Sequence, residues 1–172
     1  GYYDIFLFDT KGNLVYSVYK ETDFATNFLT GPYIDTNFGT AVRKALASDT
    51  PGEVFVEDFD FYEPSYGNAA AFFSAPIFRN GYRVGVAVFQ APVDNINAIM
   101  NETAGLGETG QPLLVGSDKK LRSNDRFDES ATILNAARDN AAVAAIFAGE
   151  TGLMEIHDQG KESVKAYAPL EL

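Results

Sequence analysis

The stretch Ala70 to Gln90, AAFFSAPIFRNGYRVGVAVFQ, decides the fold. Two runs rich in β-branched and aromatic residues, Ala70–Phe78 and Tyr82–Gln90, flank Asn80-Gly81. That dipeptide supplies positive φ at both central positions of a two-residue turn, so the stretch reads as a β-hairpin. Immediately upstream, Val54–Tyr62 reads as a third strand. Before it, Phe38, Val42, Ala45 and Leu46 recur at helical spacing within Asp35–Ala47, and Pro51-Gly52 closes that helix. Further out, Ile5–Phe8 and Leu14–Tyr19 enclose the turn cluster Asp9-Thr10-Lys11-Gly12-Asn13 and read as a first hairpin. Strand pair, helix and three antiparallel strands form a PAS-like order. Downstream, Pro92–Met100 reads as a short connecting helix with Val93, Ile96, Ile99 and Met100 on one face.

The plan then starts again. Phe6 to Leu14 aligns without gaps to Leu113 to Leu121, each reading as strand, polar turn, strand. A helix over Ser130–Phe147, with Gly149 as its C-cap, and strands at Leu153–His157 and Ser163–Tyr167 follow. The expected fold class is therefore α/β (α+β): two PAS-like antiparallel sheet modules with flanking helices, residues 1–100 and 101–172. The second module reads as incomplete, one strand short of the first. The chain opens inside the apolar strand pattern Tyr2-Tyr3-Asp4-Ile5-Phe6-Leu7-Phe8 and is read as an excerpt of a longer protein.

Composition narrows the function. The formal charge is −11, with six basic and twelve acidic residues over 1–100 and seven and twelve over 101–172. An evenly acidic surface repels phosphate backbones, which argues against a nucleic-acid partner. There is no Cys, so disulfides, thiolate nucleophiles and Cys-type zinc sites have no ligands. His157 is the sole histidine and lies on an expected strand beside Asp158, a poor start for a metal centre or a catalytic triad. No metal, no cofactor and no enzymatic activity are expected. Gly105-Leu106-Gly107-Glu108-Thr109-Gly110 matches the dinucleotide fingerprint in letters only. The fingerprint needs a strand before it and a helix after it, and here the order is reversed. It reads as an elbow between modules.

Two groups of residues are candidates for binding. Asp58, Asp60 and Tyr62 alternate along one expected strand face. They read either as a polar anchor for an amine or cation, or as the wet face of a half-solvated strand. Tyr66 in the following loop, and Lys20 and Asn27 in the long Lys20–Pro32 connection, are placed to complete such a site. The alternative is the basic cluster Lys119, Lys120, Arg122 and Arg126. Its turn reads as solvated, and Arg122 and Arg126 offer bidentate contacts to a carboxylate ligand.

The segments Asp4-Ile5-Phe6-Leu7-Phe8-Asp9, Phe24-Ala25-Thr26-Asn27-Phe28-Leu29-Thr30-Gly31-Pro32-Tyr33, Gly105-Leu106-Gly107-Glu108-Thr109-Gly110-Gln111 and Arg122-Ser123-Asn124-Asp125-Arg126-Phe127 resemble the Cache-type sensor region of methyl-accepting chemotaxis proteins. Some receptor cyclases and sensor kinases carry a similar region. The resemblance covers most of the chain. It implies a periplasmic ligand-sensing domain between two transmembrane helices, in a receptor that works as a membrane-spanning homodimer. A bound small molecule would shift helices leading to a cytoplasmic output domain. It also implies a long helix running along the modules before the present first residue. Without that helix the chain is expected to be monomeric or weakly dimeric. The amino-acid-binding pattern of double-Cache receptors has an Arg-x-Trp-Tyr core; this chain has no Trp, and no ligand residue is carried over from that pattern. The rival reading is a structural or protein-interaction module whose own aromatics fill the pocket.

Overall fold

The computed structural model describes residues 1–158 and 161–170, and the side chains of Asp158 and Lys161 are left aside. The chain divides into two compact units, Gly1–Ile96 and Asn97–Leu172.

In the first unit, β1 (Ile5–Phe8), β2 (Leu14–Ser17), α1 (Asn37–Ala47), β3 (Phe55–Tyr62), β4 (Asn68–Arg79) and β5 (Tyr82–Gln90) follow the expected order. The five strands make one antiparallel sheet in the order β2-β1-β5-β4-β3. The fold is mixed α/β and PAS/Cache-like. Asn80 and Gly81 both adopt positive φ, 52° and 79°, as the two-residue turn requires. Pro76 lies beyond the last β3–β4 pairing, Phe55 with Ser74, so its missing N–H costs the β3 side no ladder bond.

One sheet face carries Phe6, Phe8, Leu14, Tyr62, Ala70, Phe72, Val86 and Val88, all buried. Against it α1 sets Phe38, Ala41, Val42 and Ala45, the face that its 3.6-residue period defines. Phe38 is the hub: its ring stacks on Phe72 at 4.2 Å and meets Phe6, Phe8, Phe28 and Tyr62 at 4.6–5.7 Å. Thr36 caps α1, its hydroxyl accepting from Gly39 N at 3.0 Å and donating to Tyr33 O at 2.7 Å. Gly39 is needed because a Cβ there would collide with the carbonyl oxygens of Tyr33 and Ile34.

A bulge interrupts β3. Glu57 pairs with Phe72 but Asp60 pairs with Ala70, so β3 holds one extra residue. Asn37, the first residue of α1, clamps it: Nδ2 donates to Asp58 O at 2.9 Å and to Ala70 O at 2.7 Å. Asn37→Ala removes both donors and is expected to cost about 1–2 kcal/mol. Urea unfolding measures this; a loss below a few tenths would mean that solvent serves these carbonyls equally well.

The second unit departs further from expectation. α2 (Val93–Met100) runs across the unit boundary, and α3 (Ala141–Phe147) packs on a two-stranded antiparallel sheet, β6 (Gly152–Asp158) with β7 (Lys161–Tyr167). The expected helix over Ser130–Phe147 is only its last part. Its first half is irregular because the backbone there pairs with residues 119–121: Leu121 N bonds Ala136 O, Leu134 N bonds Leu121 O, and Arg138 N bonds Lys119 O. Asn140 then caps α3, its side chain accepting from Val143 N. The expected hairpin over Leu113–Leu121 is reduced to an isolated bridge, Val115 with Leu121. The repeat, expected to stop one strand short of the first module, is reduced among the described residues to this bridge and the two-stranded β6–β7 sheet. Ile133 and Leu134 are buried but Ala137 is exposed: an irregular segment buries apolar side chains at part of the spacing that a helix would.

Candidate functional site

The connection between β2 and α1 folds under its own polar side chains. Asn27 holds it: Nδ2 donates to Lys11 O and Asn13 Oδ1, and Oδ1 accepts from Leu29 N, Thr30 N and the Thr30 hydroxyl. Asp4, buried at the edge, accepts from Val18 N at 2.9 Å and so is matched by backbone.

Between this connection and the end of β3 lies a buried polar network. Asp23 is fully buried, and its Oδ2 accepts from the Tyr62 hydroxyl at 2.7 Å. Asp23 Oδ1 has no hydrogen-bond partner. Burial pushes the Asp23 carboxyl above the usual range; the Tyr62 bond opposes that rise, and the charges of Glu21 and Asp4 add to it. Burial, then the Asp23 charge, pushes the Tyr62 phenol up. Nearby, Gln90 Nε2 donates to Ser65 Oγ at 3.2 Å, and Ser65 Oγ donates to Glu21 Oε2 at 3.1 Å. Gln90 is buried, and its Oε1 also lacks a partner. Tyr3 donates to the other Glu21 oxygen at 3.2 Å, and its phenol is pushed up to about 12 by desolvation and then by Glu21. Glu57 Oε1, also without a hydrogen bond, instead meets the Lys44 ammonium at 2.5 Å.

Glu21 joins this network to a surface cleft of about 480 Å³ lined by Glu21, Thr22, Glu63, Pro64, Tyr66 and Gly67. A short 3-10 turn, Glu63–Ser65, shapes its floor, and Tyr66 follows in the left-handed region at φ 58°.

The structure brings some expected residues here and not others. Tyr62 and Tyr66 belong to the site, one buried in the network and the other 86% exposed on the rim. Asp58 and Asp60 are exposed, and the expected common face with Tyr62 is broken by the bulge. After it Asp60 and Tyr62 keep a common phase, whereas Asp58 alternates with the core-facing Glu57. Lys20 Nζ donates to Ser17 O and sits 5.3 Å from the Tyr16 ring and 5.7 Å from the Phe24 ring. The Asn27 amide is occupied by its own loop. In the second unit Arg122 meets Asp118 at 2.9 Å and Arg126 Nη1 donates to Gly110 O at 3.2 Å. His157 pairs with Glu162 at 2.9 Å on an exposed strand pair. Among the described residues no three His, Cys, Asp or Glu converge to hold a metal ion. Sequence reasoning missed Asp23, Glu21, Ser65 and Gln90. The connection has no periodicity to mark which of its polar residues turns inward.

The fold that carries this cleft is PAS/Cache-like. In three dimensions the chain is similar to the ligand-binding domain of the Campylobacter jejuni chemoreceptor Tlp3 in complex with 4-methylisoleucine, with TM-score 0.65 and 13% identity over 96% of this chain and 60% of that one. It is similar too to the domain of the Pseudomonas fluorescens chemoreceptor CtaA in complex with L-serine (TM-score 0.59, 14% identity, 95% and 63% covered). The domain of the Pseudomonas aeruginosa amino acid chemoreceptor PctC in complex with GABA gives TM-score 0.58 and 17% identity, with 95% and 65% covered. The chain thus spans just over three fifths of each neighbour's length. No protein-family model matches the sequence, and no curated protein sequence matches it.

Proposed function

We propose that this chain is the extracytoplasmic small-ligand-sensing domain of a transmembrane chemotaxis receptor, acting without chemistry on its ligand. The observation that carries the reading is a PAS-like sheet with buried, unmatched acceptors on Asp23 and Gln90, the latter joined through Ser65 and Glu21 to an open cleft. Buried polar atoms are matched almost everywhere in folded proteins, so two unmatched acceptors in one unit point to a group that arrives from outside. The solved domains of similar fold bind serine, GABA and 4-methylisoleucine, which supports a small-molecule ligand here. Residues 1–100 are the sensing module, and residues 101–172 the second module. The receptor is a membrane-spanning homodimer with this domain on the periplasmic side of the inner membrane. Among the described residues no helix is long and apolar enough to cross a membrane. A sensor kinase or a receptor cyclase is the alternative output.

The signalling requirement is differential affinity, since a ligand that binds both states equally moves neither. A second reading, an interaction module with no small ligand, is favoured by the aromatic filling between α1 and the sheet. A thermal-shift screen of organic acids, amines, sugars and nucleobases separates the two. A ligand at 100 times its Kd adds about 2.7 kcal/mol, a shift on the order of 5–10 °C. Silence across the library overturns direct sensing and leaves the interaction module.

A further inference from the structure

Resting on the sensing reading, we infer that the Asp23–Glu21 site takes a compact organic cation with N–H donors and no carboxylate, an alkylamine or alkyldiamine. The inventory of donors and acceptors leads there. Four donor groups of the network each have an acceptor: Tyr62 donates to Asp23, Ser65 and Tyr3 to Glu21, and the Gln90 amide to Ser65. What remains unmatched is acceptor on both counts, Asp23 Oδ1 and Gln90 Oε1. A carboxylate has two oxygens and about four lone-pair sites, and a primary ammonium supplies three donors. An anion or an acceptor-only ligand would add to the imbalance.

Charge points the same way. The cleft wall carries two carboxylates, Glu21 and Glu63, and no Lys or Arg. A zwitterionic amino acid needs a cation for its carboxylate. Lys20 is held on Ser17 O, and Arg43 is committed to Ile34 O and the Thr40 hydroxyl. The recognition chemistry is therefore that of an amine stripped of the acid group that serine and GABA carry.

The test is calorimetric titration of the chain in 150 mM NaCl with butylamine, 1,4-diaminobutane, 4-aminobutanoate and L-serine. The amines are expected to bind saturably and at least tenfold more tightly than the two amino acids. Asp23→Asn should weaken amine binding about tenfold or more, the scale of a charged hydrogen bond. Glu21→Gln, at the half-buried rim, should weaken it severalfold and keeps the test alive if the Asp23 variant does not fold. Asp58→Asn, on the exposed strand, should leave it unchanged. Equal or tighter binding of 4-aminobutanoate or serine overturns the cation assignment while sensing stands. Amine binding unchanged in Glu21→Gln and in a folded Asp23→Asn overturns the site but not sensing. Silence with both amines overturns the inference, and only silence across the wider library removes sensing as well.

Discussion

Phe38→Ala is expected to lower stability by about 3–5 kcal/mol, the cost of removing a fully buried phenyl group from a packed core. Phe38 is chosen because five aromatic neighbours converge on it from β1, β3, β4 and the β2–α1 connection. Its removal opens a void bounded by rings that cannot all move inward, since each is also tied to another ring or strand. Phe6 is fixed by pairing with Val88, and Phe28 packs on Tyr33. Phe38→Leu restores part of the volume and should recover more than half of the loss. Urea unfolding followed by circular dichroism reads both variants. A loss under about 1.5 kcal/mol for the alanine variant would show that the core closes over the gap, and that α1 is not seated through this ring.

Tyr62→Phe is expected to destabilise the chain by about 1.5–3 kcal/mol at pH 7.5, although the ring itself is kept. The hydroxyl is the sole side-chain donor to the buried Asp23 carboxylate among the described residues. Its loss leaves that charge without a side-chain donor in a buried site, where desolvation is least compensated. The pH dependence follows from the direction of the Asp23 shift. Its folded-state pKa is raised above the unfolded value of 3.8. Stability from this group is thus fully present below 3.8 and is lost as pH rises through the folded pKa. The Tyr62 bond favours the ionised form, so its removal raises the folded pKa further. The Tyr62→Phe penalty should therefore shrink as pH falls from 7.5 toward 4. Comparing the variant with the parent at each pH cancels the opposite trend of Asp9, Asp118 and Asp125, whose pKa values are lowered. A penalty independent of pH would mean that Asp23 is already protonated at neutrality, with the Tyr62 bond made to an acid.

How much of this was legible in the chain differs between the two units. Strand positions in the first unit follow from alternation and turn chemistry, both local. Tyr82–Gln90 was read to the residue, and β4 and α1 to within two. Asn80-Gly81 forces its turn by φ alone, and Pro51-Gly52 lies just past the end of α1, whereas the Thr36 cap, inside the expected start at Asp35, is seen only in the structure. In the second unit local signals pointed to a long helix. Pairing of residues 134–138 with residues 119–121 overrode them, and no pattern within residues 130–147 announces a partner ten or more positions away.

The candidate site divides in the same way. From the sequence by itself came the PAS-like order, the absence of Cys and of a second His, the acidic balance, and the choice of the long Lys20–Pro32 connection and the end of β3 as the place to look. Only the tertiary structure decided which carboxylates are buried. A one-residue bulge in β3, held by Asn37, reverses the phase of the strand, so Asp60 and Tyr62 share a phase that Asp58 does not, and of the three only Tyr62 is buried. The aperiodic connection meanwhile turns Asp23 beneath Tyr62, 39 residues away in the chain. The physical reason is that side-chain direction in a strand has period two, so a single inserted residue reverses it. Burial of a loop carboxylate depends on a distant donor that no local pattern encodes.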